Sequence, residues 1–161
     1  MAKIYILSGA VHSGKTTRLL NWANQRKDVY GVLAPIIEER RFLLNIHTKE
    51  SRLLEAPPKA LEEKLVHIGK YSFFKATFRW GRQVLEQTPA QKAAWLVIDE
   101  IGPLELAGLG LEPAVHAVLK NMPDSVNVML VVREKLLNTV LEYYGLKMDS
   151  INMFDFDESG Q

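Results

Sequence analysis

Residues Gly9-Ala-Val-His-Ser-Gly-Lys-Thr16 follow the pattern G-x-x-x-x-G-K-[ST]. That spacing suits a triphosphate. The glycines let the backbone wrap closely around an anion. The amides of residues 12–16 then point inward, aided by the positive end of the helix that follows. In this arrangement the Lys15 ammonium reaches the β- and γ-phosphates, and the Thr16 hydroxyl holds Mg²⁺. Gly9, Ala10, Val11, His12, Ser13 and Gly14 contribute backbone. For His12 the amide matters, and no chemistry is assigned to its ring.

A second segment, Trp95-Leu-Val-Ile-Asp99-Glu100, carries four apolar residues into an acidic pair. An apolar run of this kind reads as a central parallel strand covered on both faces. In open α/β sheets ligands bind beyond the carboxyl ends of the strands. Asp99 is therefore expected at the Mg²⁺ site, acting through a metal-bound water. Glu100 is expected one residue further out, orienting or deprotonating the attacking water. An apolar strand simply leaving the core for solvent would look the same in isolation. The phosphate loop upstream gives the acidic pair its meaning.

The elements that must hold these groups follow from periodicity. Residues 3–8 form an apolar stretch of strand length before the loop, and residues 14–27 read as the helix after it. Residues 29–37 are β-rich, with Pro35 near their end, and 42–48 read as a further strand that 52–55 continues as a hairpin. Ala56-Pro-Pro-Lys59 marks a turn. Residues 64–68 are short and apolar. Across 72–87, apolar residues at 73, 74, 78, 80, 84 and 85 predict a helix. Residues 93–98 and 126–132 predict buried strands. A helix is expected from Pro113 to just before Met122-Pro123, another over 133–144, and a short edge strand over 151–156. Residues 157–161 read as a frayed tail. Strands alternating with helices predict an α/β fold, a mainly parallel central sheet flanked by helices. A β-rich excursion spans 38–63, and one domain covers 1–161.

Bulk properties narrow the classes. The 161 residues suit one α/β core, and 47% hydrophobic with 24% charged residues is ordinary globular composition. A net charge of +1 gives no electrostatic case for a nucleic-acid or membrane surface. The sequence holds no cysteine, which excludes disulfides, thiol catalysis and cysteine zinc sites. It permits a cytoplasmic location, the expectation here. The N-terminus enters a strand with no signal-like region, and no apolar run reaches membrane-spanning length.

The loop at 9–17, with Asp99-Glu100-Ile-Gly-Pro-Leu-Glu-Leu106, resembles the small P-loop nucleoside-triphosphatases described from thermophiles and also found in animals. The Asp-Glu-Ile-Gly-x-x-Glu-Leu stretch is that family's most distinctive signature, and Gly69-Lys70-Tyr71 is similar to a short family motif before the middle helix. The resemblance implies a P-loop three-layer fold. It also implies slow Mg²⁺-dependent hydrolysis of several nucleoside triphosphates to diphosphate and phosphate. The Walker-type roles carry over to Lys15, Thr16, Asp99 and Glu100, and Thr17 gains a role as donor to the α-phosphate. Two departures stand out. Ile37-Glu-Glu-Arg-Arg-Phe-Leu-Leu44 keeps the charge of a family stretch that usually bears glycine, but lacks the glycine. Family members also often have a longer C-terminal region.

Other residues could contribute. Arg133 follows the 126–132 strand at the sheet edge expected for the loop, where a cation could stabilise charge on the transferring γ-phosphoryl group. A surface arginine near a helix start is the plainer reading. Arg40, Arg41 and Arg52 could act similarly from the excursion, although charged hairpin faces are usually just solvated. Gly102-Pro103 could fix the backbone near the γ-phosphate. Phe73, Phe74, Phe78 and Trp80 could stack a base, but their spacing favours core packing, and Trp22 is ambiguous in the same way. A small kinase would use the same parts to phosphorylate an acceptor hydroxyl. A nucleotide-binding regulatory module would bind without turnover. No Asn-Lys-x-Asp or Thr-Lys-x-Asp element reads guanine, and no Ser-Gly-Gly signature of exporter ATPases is present. Base preference and oligomeric state have no signal in the sequence.

Overall fold

The computed structural model describes residues 2–9 and 14–156. Its central sheet runs in the order β10 (Asn152–Met153), β1 (Lys3–Gly9), β9 (Asn127–Arg133), β8 (Trp95–Ile101), β2 (Val29–Leu33), β4 (Arg40–Asn45) and β3 (Ile36–Ile37). The parallel centre comprises β1 (Lys3–Gly9), β2 (Val29–Leu33), β8 (Trp95–Ile101) and β9 (Asn127–Arg133). These runs are rich in β-branched and aliphatic residues and are buried on both faces. β10 (Asn152–Met153) adds a parallel edge beside β1, pairing Tyr5 with Asn152 and Ile6 with Met153.

Strand alternation sorts the core into two layers. Leu96, Ile98, Val128, Leu130 and Val132 pack on one face with Phe78 and Leu85 of α2 (Lys75–Glu86), Val115 and Leu119 of α4 (Ala114–Asn121), and Val140 and Leu141 of α5 (Leu137–Tyr143). Trp95, Val97, Met129 and Val131 pack on the other with Leu19, Trp22 and Ala23 of α1 (Lys15–Asn24). The expected three-layer α/β arrangement is therefore present. Among the described residues no helix is long and apolar enough to cross a membrane.

The excursion is antiparallel. β3 (Ile36–Ile37) and β4 (Arg40–Asn45) form a hairpin, and β5 (Ser51–Leu53) pairs with the other side of β4. Ala34 and Pro35 separate β2 from β3, so the stretch read as 29–37 is two strands. The strand expected over 42–48 starts earlier and ends in a turn at 46–48. The two residues joining β3 to β4, Glu38 (φ 50°) and Glu39 (φ 70°), both lie in the left-handed region.

Two boundaries differ from the sequence reading for clear reasons. Residues 72–74 belong to a strand, not to the middle helix. β6 (Leu65–Ile68) and β7 (Tyr71–Phe74) form a hairpin around Gly69 and Lys70, and Phe73 also pairs with Glu55. Arg133 belongs to β9, not to a following helix. A 3-10 turn over Glu134–Leu136 separates it from α5. Phe78 and Trp80 are buried, as expected of core residues, and so is Trp22, in edge contact with Trp95 and Phe154.

Candidate active site

Gly9 ends β1 and Gly14 precedes α1; Ala10, Val11, His12 and Ser13 of the loop lie outside the described residues. Gly14 has φ 81°, a conformation that L side chains rarely adopt, and it caps the helix without a side-chain bond. The first turn of α1 carries no acidic residue, so its positive end is not neutralised locally. Lys15 opens the helix and its ammonium donates to the Gly9 carbonyl at 3.4 Å. Thr17, next in that turn, is exposed.

Thr16 reaches the acidic strand directly. Its hydroxyl donates to Asp99 Oδ2 at 2.9 Å, and the Ala34 amide donates to the same oxygen at 2.9 Å. The Glu100 amide donates to Oδ1 at 2.9 Å. Asp99 is only 1% exposed. Burial and the neighbouring Glu100 charge raise its pKa to about 6, against the opposing pull of the Ala34 amide, the Thr16 hydroxyl and Arg41. The Thr16 hydroxyl directs its hydrogen at Asp99, which leaves its oxygen lone pairs for a hard cation. Among the described residues no cluster of three or more His, Asp or Glu side chains could hold a metal. The Thr16 hydroxyl with Asp99 behind it offers hard oxygen donors, and a cation there would complete its shell with water and phosphate, the habit of Mg²⁺. The donor set fits that ion.

A bulge in β8 sets the direction of Glu100. Ile98 pairs with Leu130 and Ile101 pairs with Val132, so Asp99 and Glu100 together oppose Val131. Strict alternation would send Glu100 into the layer that holds Ile98. Instead Ile101 takes that place in the core, and Glu100, at φ 58°, is released to the sheet edge. Strain held in a non-glycine residue of this kind is often tied to function.

Two arginines bracket the released carboxylate. Arg41 Nη1 lies 3.4 Å from Glu100 Oε1 and donates to the Ala34 carbonyl at 2.6 Å. Arg133 Nη2 lies 3.8 Å from Glu100 Oε2. Arg133 is the register partner of Gly9, which puts it beside the start of the phosphate loop. The Arg41 side chain is 20% exposed, unlike a solvated hairpin arginine. Arg52 behaves otherwise: it pairs with Glu50 and stacks over Trp80, away from Glu100. Arg40 lines an open cleft of about 590 Å³ with Glu55, His67, Lys70 and Tyr71, on the excursion.

Glu105 is a residue for which sequence reasoning found no task. It is 3% exposed, and its two oxygens accept from the Gly102 and Leu111 amides, both at 3.0 Å. Burial raises its pKa to about 7. It thereby ties the short helix α3 (Pro103–Leu106) and the turn after it beneath the end of β8. Gly110 passes so close to Glu105 that a side chain there would strike its carboxylate, and Gly110 also has φ 64°. The available signal was its place in the Asp99–Leu106 signature stretch, as a lone acid between Leu104 and Leu106 with glycines shortly after it.

The chain matches known proteins in family and in fold. The family described as NTPase matches residues 4–158. Crystallised THEP1 from the hyperthermophile Aquifex aeolicus superposes with a TM-score of 0.72 at 17% identity, covering 94% of this chain and 88% of that one. The solution structure of a human cancer-related nucleoside triphosphatase superposes with a TM-score of 0.68 at 19% identity, covering 96% and 88%. At these identities the likeness is one of fold. No curated protein matches the chain.

Proposed function

The chain belongs to the NTPase family, and from that premise we propose that it hydrolyses nucleoside triphosphates to diphosphate and phosphate with Mg²⁺ as cofactor. The observation that carries the reading is the β8 bulge. It leaves Asp99 bonded to Thr16 at the head of α1 and turns the next carboxylate, Glu100, to the edge where Arg133 stands beside Gly9.

The roles follow from position. Residues 9–17 cradle the phosphates through backbone amides, and Lys15 neutralises the β- and γ-phosphates. Thr16 would hold the cation, with Asp99 behind it as the supporting carboxylate. Held there, Mg²⁺ would act as a Lewis acid for the phosphoryl transfer. Glu100 orients water in line with the γ-phosphorus and accepts its proton. Arg133 stabilises negative charge on the phosphoryl group in the transition state. Little covalent work falls to the protein, and the gain comes from positioning and electrostatics. One domain, residues 1–161, contains all of these parts.

Phosphate release from MgATP by the wild-type protein, with and without chelator and beside Lys15→Ala, tests the reading. Steady release that both treatments abolish supports it. Nucleotide binding without release would contradict it. Release that occurs only with an added hydroxyl compound, recovered phosphorylated, would assign a kinase instead.

A further inference from the structure

We infer that Phe156, with Arg18 lying over it, forms the platform on which the nucleoside base stacks. This rests on the triphosphatase reading above. The phosphate loop leaves β1, while Glu100 stands on β8, two strands away across β9. At roughly 4.8 Å per strand the two are about 10 Å apart along the sheet. A triphosphate gripped by the loop with its γ-phosphate toward Glu100 therefore points its nucleoside the other way. On that side of β1 lies β10, which runs parallel to β1. Its carboxyl end accordingly emerges at the same edge as the loop.

What stands there suits a base. The Arg18 guanidinium, one turn beyond Lys15 on α1, lies 4.4 Å from the centre of the Phe156 ring. The ring is half-buried and Arg18 is exposed. Phe156 is held by Phe154: the two rings meet at right angles with their centres 5.1 Å apart. Phe154 in turn is buried against Trp22 and Trp95, and its amide donates to the Ile6 carbonyl of β1 at 2.8 Å. A chain of aromatic contacts thus runs from the core to a ring at the surface beside the phosphate-gripping helix. An aromatic face with a guanidinium stacks any base and reads none of its edges. The platform therefore predicts broad base tolerance, consistent with the lack of any guanine-reading motif.

The test compares substrates with and without a base: MgATP, MgCTP and inorganic Mg-triphosphate, for wild type, Phe156→Ala and Phe156→Trp. Stacking losses of this type translate to about tenfold. Phe156→Ala is expected to lower kcat/KM for ATP and CTP by about that factor relative to inorganic triphosphate, and Phe156→Trp to restore it. An equal fall for all three substrates would show that Phe156 only supports the fold and would overturn the inference. So would unchanged selectivity. If the wild type hydrolyses none of them, the triphosphatase reading fails. The inference is then read from equilibrium binding, where Phe156→Ala should weaken ADP but not pyrophosphate. Equal effects on both would overturn it.

Discussion

Thr16 and Asp99, 83 residues apart in the chain, meet through a hydrogen bond of 2.9 Å that ties the head of α1 to the end of β8. The bond closes the two halves of the proposed cation site before any cation arrives. Its cost is a carboxylate held almost wholly out of water, with a pKa near 6.

That cost gives a pH dependence. The folded pKa of Asp99 lies above the unfolded value of about 4, so the folded state binds the proton more tightly. The associated stabilisation is present below pH 4 and is lost as pH rises through 6, by about 3 kcal/mol for two units. A cation at the site offsets the buried charge. The thermal upshift on adding MgADP is therefore expected to be larger at pH 8 than at pH 5. Equal shifts at both pH values would contradict the assignment of Asp99 to the cation site.

Arg41 is expected to act by position. It joins Glu100 to the Ala34 carbonyl, while the Ala34 amide holds Asp99. Arg41→Ala should lower kcat by on the order of tenfold to a hundredfold, the penalty for a misplaced group near the reaction, with little change in nucleotide affinity. Arg41→Lys should recover only part of it, because an ammonium lacks the guanidinium fork. Parallel titrations of affinity and single-turnover rate separate the two effects.

Glu105 has a structural task. Glu105→Ala leaves the Gly102 and Leu111 amides without their acceptor in a buried setting. A loss of about 3 kcal/mol is expected from urea unfolding. A loss within the scatter of surface substitutions would show that these amides find other partners.

The β3–β4 turn carries removable strain. Glu38 and Glu39 occupy two left-handed positions, for which Asn-Gly is the favoured pair. Glu38→Asn with Glu39→Gly should raise stability by about 1 kcal/mol, read from the urea midpoint, with phosphate release unchanged. A lower midpoint would mean that the glutamates make compensating contacts.

The legible parts of the site were those encoded by local spacing. The glycine loop and the acidic end of an apolar strand each announce themselves within a few residues, and the parallel core follows from continuous apolar runs. The bulge was not legible, since strict alternation puts Asp99 and Glu100 on opposite faces and nothing in Asp-Glu-Ile signals the extra residue. Which of the excursion's arginines reaches the site was hidden for a related reason: the burial of Arg41 depends on β4 folding back over Ala34, a long-range event. Residues 72–74 fitted a helical stripe, yet the Gly69 turn paired them with β6. The left-handed turn of the excursion was hidden too, because Glu38 and Glu39 occupy it without a glycine to mark it.

The central claim is that the carboxylate released by the bulge activates water. The most direct measurement is single-turnover phosphate release from bound MgATP by wild type and Glu100→Gln at matched occupancy. The account predicts that Glu100→Gln binds MgATP as well as wild type and releases phosphate at least about a hundredfold more slowly, the usual scale of general-base loss. Release at the wild-type rate from the fully loaded variant would contradict it.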